Sequence, residues 1–467
     1  MVTPVKTNNT SIDLGSLEMR AQAREKSASD SARARIALLN LGIENERIQE
    51  LTEYRQEGIS IDYPEFPTQL AFISSFLRQN GYRVEILDLA LCKWLKGDGQ
   101  YVKERLSSLK EFAPDLVLMH SKGYNLKEAV QIASSFNCTN INLRRFVLMS
   151  HAAGVRPFET LQSIGEYIPA ITYAETEPVL EFIIENSRRM SRGKIWEAVK
   201  MAPNVAYHAP ENGKVIVNHL IYSDLNKLPF PDFNMEGAEE YLEINNYIPI
   251  ALSRGCPYGC RHCPTKKIYG HEWRGLQPDK VHDLLHVIKT AVGGRNTTVA
   301  LTDSNVVYDL KWFREICRMF SLMDVAWDCR LRPDWVTEEV AQLLASGKCA
   351  KVILSADVLY DYEPALASFL RKPLTLNSLK KASSVCYETG IQVGIYFIVD
   401  LYKEPEKVLP KIAEDCHVNS ITLSCLHDYD GLNSSGVTSQ AMKKVIDVMK
   451  RNGTKINICT GWGETSW

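Results

Sequence analysis

The sequence has no run of roughly 18 or more apolar residues, so it offers no candidate transmembrane helix. Its opening stretch, MVTPVKTNNTSIDLGSLEMRAQAREKSASDSARAR, lacks an apolar h-region and does not read as a signal peptide. The expected compartment is the cytoplasm, with no membrane as partner. An excess of charge of one sign is also missing: 54 Lys and Arg stand against 56 Asp and Glu, for a formal net charge of -2. With no basic stripe interleaved with aromatics, nucleic acid is excluded as the main partner. No internal repeat or low-complexity segment stands out. No disulfide framework is present either, because nine of the 12 cysteines are scattered and three are clustered. In a reducing compartment, that pattern reads as free thiols plus one metal site.

What is present suits a multidomain α/β protein. With 467 residues, 45% hydrophobic and 24% charged, the chain can bury two or three cores. Residues 1–33 are polar and read as a flexible tail. From there strands alternate with helices: Ile36–Leu41, a helix opened by Pro67 and stopped by Gly81, then strands Arg83–Leu89, Leu116–His120, Arg145–Ser150 and Ala170–Tyr173, with a last helix over Glu177–Ser187. This alternation predicts a doubly wound, Rossmann-like domain over 34–190. Residues 191–247 read as a connector strap, since LNKLPFPDFN carries two prolines in four residues. A second βα series fills 248–430. Its strands are expected at Pro249–Ser253, Thr298–Thr302, Val325–Cys329, Val352–Ser355, Gln392–Val399 and Ser420–Cys425, making a partial (β/α)6 barrel with chemistry at the C-terminal strand ends. Residues 431–467, including a strand at Lys455–Cys459, form a short C-terminal extension.

The sharpest motif is SRGCPYGCRHCPT, which places Cys256, Cys260 and Cys263 at CxxxCxxC spacing on a loop directly after a strand. Three thiolates leave one iron of a [4Fe–4S] cube without a protein ligand, where a structural cluster takes four. An open coordination position marks a reactive site, as it does for zinc. The amine and carboxylate of S-adenosylmethionine can fill it. The competing reading is a zinc knuckle completed by His262 or His271. It suffers from the adjacency of His262 to Cys263 and from the lack of a second CxxC pair.

The sequence resembles the radical SAM superfamily, in particular its branch with an N-terminal cobalamin-binding-like domain. The resemblance rests on SRGCPYGCRHC followed by HEWRGLQPDKVHDLL, on the strap LNKLPFPDFN and on YAETEPVLEFI, and spans roughly residues 35–430. It implies an enzyme that uses the cluster and S-adenosylmethionine to generate a 5′-deoxyadenosyl radical, fed by a reductant such as flavodoxin or ferredoxin. It implies cofactor contacts at Tyr258 and His262 in the loop, at Asp303 after the second barrel strand, at Arg330 or Arg332 after the third, and at Ser355 and Asp357 after the fourth. The fifth strand runs into VDLYKEPEK, where the family usually shows a Gly-Pro turn.

Cobalamin is left open. The first domain has no DxHxxG motif, and SHAAG stands where the family usually has a Gly-Gly-Pro-like turn. Asn40, Gly42, His120, Ser121, Gly154 and Glu175 lie near strand ends, where such a sheet binds ligands. The alternative is a Rossmann domain that contacts partner or substrate without the cofactor. The fate of the substrate radical is open too. Epimerisation needs a cysteine aimed into the barrel, and Cys425 or Cys329 at strand ends are the candidates, with Cys386 in a helix expected outside. Methylation needs methylcobalamin. The short C-terminal extension suits a long substrate, so the leading expectation is a resemblance to proteusin-type epimerases that act on ribosomal precursor peptides. The alternatives are a cobalamin-dependent C-methyltransferase on a peptide or small natural product, and a non-catalytic iron–sulfur scaffold or redox sensor.

Overall fold

The computed structural model describes residues 34–459 except 44, 97–98, 122–125, 138–144, 151–153, 188–193, 210–211, 425–439 and 452. The expected N-terminal tail lies outside the described residues.

In chain order the strands are β1 (Arg35–Asn40), β2 (Ser60–Ile61), β3 (Arg83–Asp88), β4 (Leu116–His120), β5 (Phe146–Met149), β6 (Ala170–Thr172), β7 (Val205–Ala209) and β8 (Lys214–Val217). They continue with β9 (Tyr247–Ile250), β10 (Ser253–Arg254), β11 (Arg274–Gly275), β12 (Thr298–Leu301), β13 (Trp327–Leu331), β14 (Cys349–Ser355), β15 (Gln392–Ile398), β16 (Ser420–Ser424) and β17 (Lys455–Ile458). The first sheet runs β3-β1-β4-β5-β6-β7-β8, with β3 through β6 parallel. This is the doubly wound order expected from the sequence, with its switch point between β1 and β4.

Two strands extend that sheet beyond the sequence reading. Residues 191–247 were expected to run as a strap, yet β7 and β8 form an antiparallel hairpin on β6, preceded by the helix Ile195–Met201. The hairpin had a local signal, Asn212-Gly213, with Gly213 at φ 68° and its neighbour Lys214 donating its amide to Asn212 Oδ1 at 3.0 Å. The proline-containing segment further on does run extended around the three-residue 3-10 turn Leu225–Lys227.

The second sheet is parallel throughout, in the order β2-β17-β16-β15-β14-β13-β12-β9. All six expected barrel strands are present, β17 continues the curl, and Ser60–Ile61 from the first domain joins its edge. Two residues are too few to show a period, which is why β2 was not legible.

One face of β1, Ile36 and Leu38, joins the apolar cluster that runs on into the barrel; the other, Ala37 and Leu39, joins a separate cluster under the outer helices. The helix Thr68–Gln79 sits at the seam. Its Leu70, Phe72, Ile73 and Leu77 are buried, each contributing roughly 1.5–3 kcal/mol. Thr68 Oγ1 donates to Pro249 O at 2.6 Å, tying the helix to the first barrel strand.

Candidate functional site

The cysteine loop is pinned at its base. Strands β10 and β11 pair antiparallel, Ser253 with Gly275 and Arg254 with Arg274, so residues 255–273 form a closed excursion. Gly255 opens it at φ 85°, and a Cβ there would lie 2.0 Å from Glu272 O, so only glycine fits. Cys256 N donates to Gly270 O at 3.2 Å and Arg261 N to Leu370 O at 3.0 Å, fixing the loop against the barrel rim. Cys256, Cys260 and Cys263 then line one cavity of about 180 Å³ at the C-terminal mouth of the barrel.

Among the described residues, no three His, Cys, Asp or Glu side chains converge as they would around a single ion. Thiolates on one tetrahedral zinc stand about 3.8 Å apart, from a bond length of about 2.3 Å. Thiolates on separate irons of a cube stand wider. Three cysteines line this cavity and no fourth joins them among its lining residues, which is the donor set of a cube with one open iron. Burial pushes the Cys256 thiol up to about 11, the other two cysteines adding to it, and burial raises Cys263 as well. Arg332 Nη1 lies 3.9 Å from Cys260 Sγ and Thr265 Oγ1 lies 3.2 Å from Cys263 Sγ, so the sulfurs have donors within reach.

The walls of this cavity gather most of the residues singled out in the sequence. Asp303 accepts from Leu252 N at 3.1 Å and from Ser253 Oγ at 2.5 Å; burial pushes its carboxyl up to about 6 against those hydrogen bonds. Tyr258 packs against Trp335 with ring centroids 5.1 Å apart and planes tilted by 39°. The Arg332 guanidinium covers both rings and pairs with Asp334 at 2.7 Å. Arg330, two residues earlier on β13, lies deeper and also lines the cavity.

Ser355 and Asp357 meet a residue that the sequence did not mark. Lys372 donates to Asp357 Oδ2 and, at 3.0 Å, to Ser355 Oγ, while His262 Nε2 lies 3.2 Å from the same Asp357 oxygen. Burial alone would raise the Asp357 carboxyl, but the Lys372 ammonium and the His262 and Lys372 hydrogen bonds hold it well below the usual carboxylate range. Nothing local flags Lys372: it reaches the site from a turn after the helix Pro364–Phe369.

Cys329 corrects an expectation. Trp327 and Cys329 are buried and line neither this cavity nor the one at the N-terminal end of the barrel, while Asp328 and Arg330, at the alternate positions of β13, face the lumen. Cys329 therefore packs behind the sheet, near Cys349 and Cys317, and not toward the cluster loop. Cys386 is buried in the helix Leu376–Glu388, as expected. Cys425 lies outside the described residues.

Glu175 is a second correction. It sits just past β6, but it is not free for a ligand. It accepts from Ser223 N at 2.7 Å, pairs with Arg274, and stands 3.5 Å from Arg254. Arg254, two residues before Cys256, also pairs with Glu177 at 2.6 Å. Burial would lower the Arg254 guanidinium, but Glu177 and Glu175 outweigh that and keep it charged. This quartet locks the segment after β6 to the base of the cysteine loop.

At the switch point, Asn40 Nδ2 donates to Asp88 Oδ1 at 3.0 Å and its Oδ1 lies 3.3 Å from His120 Nδ1. Tyr241 OH donates to Asp88 Oδ2 at 2.7 Å, completing a network in which burial raises the Asp88 carboxyl. Asn40 is therefore committed internally, whereas Ser121, at the end of β4, is buried with its hydroxyl unpaired among the described residues. A Cβ on Gly154 would lie 2.6 Å from Tyr173 Cα, so the backbone there is held close to β6. Most of SHAAG, residues 151–153, lies outside the described residues. An orphaned hydroxyl at the switch point fits a polar ligand.

Among the described residues no helix is long and apolar enough to cross a membrane. No family model matches the chain. It is 22% identical over 295 residues to the bacteriochlorophyllide d C-12(1)-methyltransferase of Chlorobaculum tepidum, covering 63% of this chain and 58% of that protein. It is 23% identical over 374 residues to the cytidylyl-2-hydroxyethylphosphonate methyltransferase of Streptomyces wedmorensis, covering 72% of this chain and 69% of that one. Among solved structures, the radical S-adenosylmethionine methyltransferase TsrM of Kitasatospora setae, with cobalamin and a [4Fe–4S] cluster bound, superposes with a TM-score of 0.61 at 15% identity, over 84% of this chain and 72% of that one. The cobalamin-dependent radical enzyme OxsB, with aqua-cobalamin and S-adenosylmethionine bound, superposes with a TM-score of 0.63 at 16% identity, over 90% of this chain and 56% of that one. The chain thus spans less than two thirds of the first of these curated relatives.

Proposed function

We propose that this chain, which shares its two-domain fold with the cobalamin-binding radical SAM enzymes, is a cobalamin-dependent radical SAM methyltransferase. The observation that carries the reading is the cavity at the barrel mouth, where Cys256, Cys260 and Cys263 stand together under Arg332, Asp303 and Asp357. These three thiolates would hold the [4Fe–4S] cluster. Bound cluster, S-adenosylmethionine and cobalamin supply an electron, a 5′-deoxyadenosyl radical and a transferable methyl group. The Asp303 carboxylate, steered by Leu252 N and Ser253 Oγ, is available to the methionine ammonium. His262, Asp357 and Lys372 form one hydrogen-bonded part of the wall of the same cavity. Ser121 and the close backbone at Gly154 would receive cobalamin at the switch point.

Methyl transfer is favoured over epimerisation by two observations. The curated relatives are named as methyltransferases. Cys329, one of the two cysteines offered as hydrogen donors, is turned out of the barrel. A peptide or small natural product is the proposed substrate class, with flavodoxin or ferredoxin as reductant.

The test is anaerobic reconstitution with iron and sulfide, followed by dithionite, S-adenosylmethionine and methylcobalamin. The expected result is about four irons per chain, one bound cobalamin, and 5′-deoxyadenosine that disappears in Cys256→Ala. Cobalamin-free protein that forms 5′-deoxyadenosine, and a product that gains one mass unit in heavy water without gaining a methyl group, would reverse the choice in favour of epimerisation.

A further inference from the structure

The three cysteine sulfurs do not share one environment. Cys260 Sγ has the Arg332 guanidinium 3.9 Å away, a long contact, and that guanidinium is already committed to Asp334. Cys263 Sγ instead meets a hydroxyl, Thr265 Oγ1 at 3.2 Å, two residues further along its own loop. Thr265 Oγ1 in turn stands 3.1 Å from Ser304 Oγ, which comes from the segment after β12. Cys263, Thr265 and Ser304 all line the cluster cavity.

The far end of this chain of contacts is anchored on both sides. Asp303 is fixed by Leu252 N and Ser253 Oγ, and the Asn305 carbonyl accepts from Trp273 Nε1 at 2.9 Å. Ser304 sits between them, so its backbone is held where its hydroxyl meets Thr265. Trp273 closes the cysteine excursion itself, which ties the place of Ser304 to the loop it faces.

Hydroxyls both donate and accept, so the chain can run in either direction. While Cys263 is a thiol, it gives its proton to Thr265. A sulfur bound to iron is a thiolate, with no proton to give. The direction then reverses: Ser304 donates to Thr265, and Thr265 donates to Cys263 Sγ. Neither hydroxyl loses a partner in the reversal. Hydrogen bonds to cluster sulfurs are one determinant of reduction potential. Reduction adds one electron, makes or breaks no bond, and places more negative charge on sulfurs. Burial already opposes charge on Cys263, and the Thr265 hydroxyl and amide both counter it. The backbone supplies that amide whatever the side chain, whereas the hydroxyl is what residue 265 adds. A donor of this kind favours the more negative, reduced state.

We propose that Thr265, directed by Ser304, is a positioning residue of the cluster: its hydroxyl donates to Cys263 Sγ and raises the reduction potential toward the reach of a flavodoxin- or ferredoxin-type reductant. This rests on the [4Fe–4S] reading of the three cysteines and on nothing about cobalamin or substrate.

The test uses the full-length protein, reconstituted anaerobically with iron and sulfide, without S-adenosylmethionine. Dithionite titrations with mediator dyes, followed by EPR, give the midpoint potential at matched iron content. Thr265→Val and Thr265→Ala should both weaken reduction about tenfold, a midpoint about 59 mV more negative for one electron. Thr265→Ser, which keeps the hydroxyl, should stay within about twofold of wild type. Ser304→Ala should move the midpoint in the same direction by less, because it removes the donor behind Thr265 and not the one at the sulfur. Midpoints unmoved in the Val and Ala variants overturn the proposal. So does a Ser variant that falls as far as they do, or Val and Ala shifts of opposite sign, which would mark a change in water access. A Ser304→Ala midpoint equal to wild type removes Ser304 from it. If neither Val nor Ala takes up a cluster while Ser does, the hydroxyl serves assembly and not potential, and the idea is again overturned. Wild-type protein that takes up no cluster ends the [4Fe–4S] reading and this one together, whereas a cluster indifferent to residue 265 ends this one alone.

Discussion

Replacing Arg254 by methionine cuts the seam between the two domains at its most buried point. The Arg254 and Glu177 side chains are 1% and 2% exposed. Glu175 keeps Arg274 and the Ser223 amide after the change. Glu177 keeps nothing, since Arg254 is its one hydrogen-bonding or ion-pair partner among the described residues. Orphaning one half of a buried pair costs about 3–5 kcal/mol. Glu177 opens the helix Glu177–Ser187, and the helix N-terminus returns roughly 0.5–1 kcal/mol of that. The expected loss for Arg254→Met is therefore about 3 kcal/mol at pH 7.5. Arg254→Met with Glu177→Gln removes both charges and should recover about 2 kcal/mol of it. Urea unfolding of the single, the Glu177→Gln and the double variants at pH 7.5 measures all of this. A deficit under about 1 kcal/mol, or one that does not couple to Glu177→Gln, refutes the reasoning.

Asp303→Asn should stabilise the cluster-free protein by about 2–3 kcal/mol at pH 7.5, because a buried carboxyl pushed up to about 6 loses its favourable contribution as pH rises through that value; the gain should vanish below about pH 4, and a urea midpoint unchanged at pH 7.5 would count against it. Gly255→Ala places a methyl 2.0 Å from Glu272 O at a positive φ, so iron content after reconstitution should fall to a small fraction of wild type, and a full complement of iron would show that the loop tolerates the change. Cys329→Ala should cost about 1–2 kcal/mol in urea unfolding while leaving 5′-deoxyadenosine formation within about twofold, since the thiol lies behind the sheet; loss of turnover in folded protein would return it to the site.

The cluster loop was legible because its information is local. Cys256, Cys260 and Cys263 lie within eight residues, and thiolate count alone separates an open cube from a closed one. The doubly wound and barrel halves were legible for the same reason: buried parallel strands are continuous apolar runs separated by amphipathic helices, and each run reports its own element. Ser60–Ile61 escaped because two residues carry no period, and its place in the barrel sheet depends on β17, almost four hundred residues away.

Tertiary structure decided what the site residues are able to do. Sequence placed Glu175 at a strand end, but only the packed domains set Arg254 and Arg274 on it, 79 and 99 residues further along, and turned a candidate ligand contact into a lock. Sequence placed Asp357 at the rim, but Lys372 and His262 reach it from separate segments, and a carboxylate's pKa answers to distance in space and not along the chain. Cys329 and Arg330 are neighbours in sequence, and a strand sends alternate side chains to opposite faces. One-residue parity therefore put the thiol into the core and the guanidinium into the lumen. The spacing of three cysteines was enough to expect them together on one loop, and the fold sets that loop at the barrel mouth. Which charges face the lumen was settled only when β13 took its register between β12 and β14.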